Sequence, residues 1–147
     1  MKVEDVMIRD VKTIEADATV EEAVLKMSEL KIGSLLVMDN FEIVGILTAR
    51  DIIGNIKSVM KEANSLAVKE LMSKKVVPIT PEKGLEEAAR IMAKEDVKKL
   101  PVMIDGKLVG IITDTDILKS GEKLEEAVAR NIINILGYTK GKMHPAY

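Results

Sequence analysis

A hydroxyl followed three residues later by a carboxylate occurs twice in the same setting, in Gly45-Ile46-Leu47-Thr48-Ala49-Arg50-Asp51 and in Gly110-Ile111-Ile112-Thr113-Asp114-Thr115-Asp116. In each copy a β-branched run ends at the threonine and an apolar segment begins at Ile52 or Ile117, which reads as a strand feeding a helix. The first turn of a helix offers unpaired N–H groups and a positive dipole end, which together suit a phosphate. A carboxylate beside them accepts two hydrogen bonds from a vicinal diol such as ribose. The same spacing also fits a hydroxyl N-cap with an acid at the third helical position, a capping box worth about 1 kcal/mol per cap. The two readings are compatible, because a cap can also hold a ligand.

Composition removes several other chemistries. The chain has 147 residues, 47% of them apolar, enough for one ordinary domain or two very small units sharing a core. Phe41, Tyr138 and Tyr147 are the only aromatic residues, so the core is aliphatic plus methionine, and base-stacking platforms for nucleic acid are not expected. Net charge is −2, with acids and bases interspersed, which leaves no electrostatic footprint for DNA or a membrane surface. Cysteine is absent and His144 is the single histidine. Disulfides, thiol catalysis, a zinc site and a His-based triad therefore have no material. No apolar run approaches the length of a membrane span and the N-terminus shows no signal-peptide core, so a cytoplasmic protein is expected. Glutamine is absent while Lys and Glu abound, a composition of hot environments.

The elements that position the two motifs are themselves duplicated. Thr48 and Thr113 lie 65 positions apart, and at that shift residues 3–52 and 68–117 align without a gap, with 17 identities in 50 positions. This is an internal duplication. Present only twice, it describes two similar units burying their faces against each other with approximate two-fold symmetry. In the first unit Val3 to Met7 is an apolar lead-in and Val11 to Ile14 an extended segment. Thr19 caps a helix from Val20 to Lys31, ended by Gly33. Leu35 to Met38 and Ile43 to Leu47 are antiparallel strands joined at Asp39-Asn40, and a helix follows from Ala49 to Met60. The second unit repeats this with Val76 to Ile79, a helix from Leu85 to Lys94, strands Leu100 to Ile104 and Leu108 to Ile112 around Gly106, and a helix from Asp114. Lys61 to Leu66 is the linker, and Glu122 to Leu136 is a further amphipathic helix presenting Leu124, Ala127, Val128, Ile132 and Ile135.

The duplicated helix, hairpin and helix, with Leu-(Leu/Pro)-Val-Met and then Val-Gly-Ile-(Leu/Ile)-Thr-x-x-Asp-Ile in each copy, resembles a tandem pair of CBS domains, also called a Bateman module. The resemblance covers residues 1–120. It implies an α+β fold of two pseudo-symmetric β-α-β-β-α units, at residues 1–62 and 63–120, packed sheet to sheet; the helical spacing beyond them adds residues 121–147 as a C-terminal amphipathic helix and tail. It further implies two symmetry-related clefts that bind adenosine compounds (AMP, ADP, ATP or S-adenosylmethionine), no chemistry of the module's own and no other cofactor.

Carried over by position, the resemblance places Asp116 on the ribose hydroxyls of one cleft, Thr113 on the sugar-phosphate and Ile111 against the base. Val11, Thr13, Ile32 and Gly33 complete that cleft, with Lys98 and Lys99 on the phosphates. The mirror cleft uses Asp51, Thr48 and Ile46, completed by Val76, Pro78 and Val97. There Gly33 and Ser34 stand where the other copy has Lys98 and Lys99, while Arg50 replaces uncharged Thr115. On this reading the Asp116 cleft prefers the more phosphorylated ligand. The expected function is a regulatory nucleotide sensor acting by population shift, homodimeric through the helices after each Thr-x-x-Asp and read by a separate regulated protein. The alternatives are a structural scaffold with empty clefts, in which Thr and Asp serve only as caps, and an enzyme, for which no nucleophile with a base stands out.

Overall fold

The computed structural model describes residues 1–121 together with Ala129, Arg130 and Ile133. The five apolar residues assigned to the face of the predicted C-terminal helix, Leu124, Ala127, Val128, Ile132 and Ile135, lie outside the described residues. The element order is α1 (Val3–Val6), β1 (Thr13–Glu15), α2 (Val20–Leu30), β2 (Ser34–Asp39), β3 (Glu42–Thr48), α3 (Ala49–Gly54) and α4 (Ile56–Glu62) in the first half. The second half has α5 (Val68–Leu71), α6 (Leu85–Glu95), β4 (Lys99–Ile104) and β5 (Lys107–Thr113), and residues 114–121 are helical.

Both hairpins have the same register. Ser34 faces Thr48 in one and Lys99 faces Thr113 in the other, with a bulge after Val37 and after Val102. The turns are two-residue loops with positive φ at both positions, Asn40 (50°) and Phe41 (67°) in one copy, Asp105 (48°) and Gly106 (77°) in the other. This is the twist-matched turn that hairpins favour. The first turn thus falls one residue later than the Asp39-Asn40 expected from composition, because its second position is filled by Phe41. That ring is 98% exposed, so no packing offsets the cost of a bulky residue in left-handed backbone, about 1 kcal/mol. Phe41→Asn is therefore expected to raise the urea midpoint; a lower midpoint would mean that the ring is packed in solution.

The first-unit sheet has order β1-β2-β3, with β1 parallel to β2. In the second unit the matching strand shrinks to a single parallel bridge, Ile79 to Val102. Three prolines account for this. Leu36 N donates to Lys12 O and Ala16 N to Met38 O, whereas the equivalent positions are Pro101 and Pro81, and Pro78 replaces Thr13. Without those N–H groups only the bonds around Ile79 remain.

Helix α2 ends on Lys31 in left-handed conformation (φ 55°) rather than on Gly33, and α6 likewise ends on Asp96 (φ 53°). Gly33 has no positive φ and open space around its would-be Cβ. The helix expected over Ala49 to Met60 is broken at Asn55, whose φ of −117° leaves helical geometry and whose side-chain amide donates to Asp51 O at 2.8 Å.

The two cores are built by exchange. Val68 is buried among Val20, Met27, Leu35 and Leu47 of the first unit, with Leu66, Leu71 and Met72 packed alongside. Val3 is buried with Ala88, Leu100 and Ile112 of the second, with Val6 and Met7 alongside. Each exchanged segment also satisfies the open start of the helix it meets. Val20 N donates to Leu66 O and Val68 N to Ala18 O; in the mirror position Leu85 N donates to Met1 O and Val3 N to Lys83 O. The stretch read as a linker, Lys61 to Leu66, is therefore part of the first unit's wall. Each exchanged segment ends on a two-way bridge to the edge of a hairpin, Ser73 to Ile46 and Ile8 to Ile111.

Candidate ligand clefts at the seam between the halves

Two clefts open where the corner before one unit's hairpin lies over the strand-end threonine of the other. The first, about 470 Å³, is lined by Ile46, Thr48 and Arg50 of the first unit, by Ser73 and Lys75, and by Asp96, Val97, Lys98 and Lys99 of the second, with Gly33 at its edge. The second, about 240 Å³, is lined by Ile111 and Thr113, by Ile8, Asp10, Val11 and Lys12, and by Ile32, Gly33, Ser34 and Leu36, with Lys99 reaching in. Shifted by the repeat distance, most of one wall becomes the other: Ile46 with Ile111, Thr48 with Thr113, Ser73 with Ile8, Lys75 with Asp10, Val97 with Ile32. The clefts are pseudo-symmetric mates.

The structure brings together Ile46, Thr48, Arg50 and Val97 in one cleft, and Ile111, Thr113, Val11, Ile32, Gly33 and Ser34 in the other. Lys98 is a correction. It lines the cleft of Thr48, although its carbonyl accepts from Asp114 N beside Thr113 at 2.9 Å, and Lys99 lines both clefts. The reason is the cross-seam arrangement: the corner containing Val97 and Lys98 covers the opposite unit's strand end, as Ile32 and Gly33 do in the mate. More basic side chains therefore line the Thr48 cleft than the Thr113 cleft.

Five other residues lie off these walls. Thr13 enters β1 opposite Leu36, and since β1 runs parallel to β2 it is already moving away from the cleft at the start of β2. It borders a separate hollow with Glu15, Glu22 and Lys26. Val76 and Pro78 border a hollow at the hairpin ends with Phe41 and Leu108. Asp116 borders a depression with Met1, Asp5 and Lys119. Asp51 is on neither cleft wall. Conversely, Ser73, Lys75, Asp96, Ile8, Asp10, Lys12 and Leu36 line the clefts without standing out in the sequence. The Lys74-Lys75 pair just before Val76 was the available signal.

Both aspartates close capping boxes. Thr48 N donates to Asp51 Oδ2 at 2.9 Å and Asp51 N to Thr48 Oγ1 at 3.1 Å. The second copy repeats this at 3.0 and 3.2 Å. Each box commits one carboxylate oxygen, Oδ2, to the main chain.

A CBS domain model matches residues 3–58 and again residues 68–123. The chain belongs to the CBS-domain family. This CBS pair is 38% identical over 120 residues to the uncharacterized protein MJ1232 of Methanocaldococcus jannaschii, covering 81% of this chain and 39% of that protein. It is 30% identical over 133 residues to the CBS domain-containing protein YhcV of Bacillus subtilis, covering 90% and 94%. Several relatives are much longer: the chain spans 23% of the inosine-5'-monophosphate dehydrogenase of Korarchaeum cryptofilum. Among solved structures, a signal-transduction protein with CBS domains from Burkholderia ambifaria superposes with a TM-score of 0.74 at 30% identity, covering 82% of this chain and 93% of that one. The CBS domain pair of protein MJ0100, solved in complex with 5'-methylthioadenosine and S-adenosyl-L-methionine, superposes with a TM-score of 0.71 at 25% identity, covering 84% and 97%.

In this CBS pair the charge between the clefts is concentrated on Lys99. Its ammonium donates to Ser34 Oγ across the seam. Burial pushes its pKa below the ordinary lysine value, against the opposing pull of Asp114 and Asp116. A half-buried cation of this kind gains from a nearby anion. The capping boxes carry their own expectation: Thr48→Ala and Thr113→Ala each lower stability in urea titrations by about 1 kcal/mol. No loss in either would mean that the boxes are open in solution.

Proposed function

We propose that the chain is a regulatory sensor that binds an adenosine-type ligand, such as AMP, ADP, ATP or S-adenosylmethionine, in the seam clefts. One observation carries this reading: each cleft has one wall from each half, so a ligand seated there bridges the halves. Differential affinity for one relative orientation then shifts the population toward it. Similarity to the MJ0100 pair, solved with two adenosine compounds, supports the ligand class. Ile46 and Ile111 supply apolar surface for a base, and Thr48 and Thr113 supply hydroxyls for the sugar-phosphate. Asp51 and Asp116 lie off the cleft walls with Oδ2 on the main chain, so in this reading the ribose extends past the wall threonine to reach Oδ1. The readout surface is the helical face carrying Ile53 (69% exposed), Met60 (80%) and, at the repeat-equivalent of Ile53, Leu118 (67%). Such a face suits a second copy of the chain.

The expected result is a stability gain of about 2.7 kcal/mol when the bound compound is present at a hundred times its dissociation constant, measured by chemical denaturation. Native mass spectrometry of the purified protein reports retained ligand and subunit number together. The closed capping boxes favour one competing reading, a structural scaffold whose threonines and aspartates only cap helices. Under that reading none of the four compounds shifts the unfolding curve.

A further inference from the structure

The two clefts share a shape plan but differ in charge at nearly every position where a charge could stand. Around Thr48 the wall carries Arg50, Lys75, Lys98 and Lys99 against the single acid Asp96. At the repeat-equivalent positions around Thr113 the chain has Thr115, Asp10, Gly33 and Ser34. Asp114, next to Thr113, replaces Ala49. Two exchanges run the other way, Lys12 for Val77 and Lys31 for Asp96. Lys12, however, spends its charge on Asp10 at 2.6 Å, and Lys31 is not on the second cleft's wall. Among the described residues, the cations of the first cleft make one ion pair, a loose one from Lys75 to Glu95 at 4.0 Å. Arg50, Lys75 and Lys98 of the larger cleft thus face a ligand, whereas the smaller cleft has Lys99, shared by both walls and held by Ser34 Oγ, besides the Lys12–Asp10 pair.

We propose that the Thr48 cleft takes a nucleotide bearing several phosphates, while the Thr113 cleft takes a nucleoside without phosphate, neutral or cationic. This rests on the reading of both clefts as adenosine sites and adds which chemical class each accepts. Charge-assisted contacts from guanidinium and ammonium groups stabilise a polyphosphate. The same polyphosphate in the mate cleft meets Asp10, already paired with Lys12, and shares Lys99 with the other wall. Volume points the same way, about 470 Å³ against 240 Å³. Phosphates add bulk as well as charge, and the larger cleft has more room for them.

The test uses calorimetry on the full chain with two probes, ATP and adenosine, and two grafted variants that exchange wall charges between mates. Lys75→Asp with Lys98→Gly installs the residues of the second cleft in the first; both lysines are exposed. Asp10→Lys with Gly33→Lys does the reverse, and a side chain at Gly33 meets nothing within 4 Å. In the unmodified chain one ATP is expected to bind per chain, and adenosine at a second site from which ATP does not displace it. The first graft is expected to weaken ATP by at least about tenfold with adenosine unchanged, and the second graft to create a second ATP site. Adenosine binding alongside an ATP affinity that ignores the first graft, or two equal ATP sites in the unmodified chain, overturns the charge partition and leaves the sensor reading standing. Failure of both probes to bind the unmodified chain at millimolar concentration overturns the partition, and failure of AMP, ADP and S-adenosylmethionine as well overturns the sensor reading.

Discussion

Gly45→Ala lowers the stability of the chain by about 2–3 kcal/mol in urea denaturation, and the equivalent Gly110→Ala costs less. The Val-Gly-Ile in each motif copy lies where an exchanged segment from the other half presses against the hairpin. A Cβ on Gly45 stands 2.7 Å from the main-chain oxygen of Ser73 and 2.6 Å from Met72 Sδ. On Gly110 the same atom stands 3.0 Å from the Ile8 oxygen and 2.6 Å from Met7 Sδ. Thioether sulfurs sit at the end of flexible side chains and move aside. Main-chain oxygens held in a two-way bridge do not. The difference appears in double-mutant cycles. With Met7→Ala in place, part of the Gly110→Ala cost disappears, and the Ile8 oxygen at 3.0 Å keeps the rest. With Met72→Ala in place, the Gly45→Ala cost persists, because the Ser73 oxygen is still there. Equal rescue in both cycles would place the clash on the sulfurs alone.

Deleting residues 1–8 unfolds the wrong end of the chain, as judged by sequence order. Val3 is fully buried in the second core, a burial worth about 2 kcal/mol. The deletion also removes Val6, Met7, the bonds from Val3 N and Glu4 N to the turn before α6, and the bridge from Ile8 to Ile111. The combined loss, roughly 4 kcal/mol or more, is a large fraction of the 5–15 kcal/mol that holds an ordinary domain together. Hydrogen exchange in the truncated chain is expected to accelerate across β4 and β5 while β2 and β3 keep their protection. The first core contains none of the deleted residues. Loss of protection in β2 and β3 first would contradict the exchange of segments.

Local pattern was enough for the elements and the duplication. Period-2 and helical spacing located both hairpins, α2 and α6 within a few residues, since each buries one face of a regular element. Where the reading slipped, two nearly degenerate local choices competed. Lys31 and Gly33 could both end α2, and Asn40 with either neighbour could make the turn. The break at Asn55 turned on one side-chain bond to Asp51, which spacing does not show.

From residues alone came the twofold repeat, the strand-to-helix motifs at Thr48 and Thr113, and the capping spacing of Asp51 and Asp116, because these depend on neighbours within a few positions. Tertiary structure alone decided which lead-in joins which core, and with it why Gly45 and Gly110 have no side chain. It also decided on which side of the seam Lys98 stands, so that the basic cleft is that of Thr48. The physical reason is the symmetry itself: a duplicated sequence is equally consistent with segments packing within their own unit or across to the other. Only the fit of Val3 and Val68 into specific cavities, and of Met1 and Leu66 carbonyls onto specific helix starts, distinguishes the two.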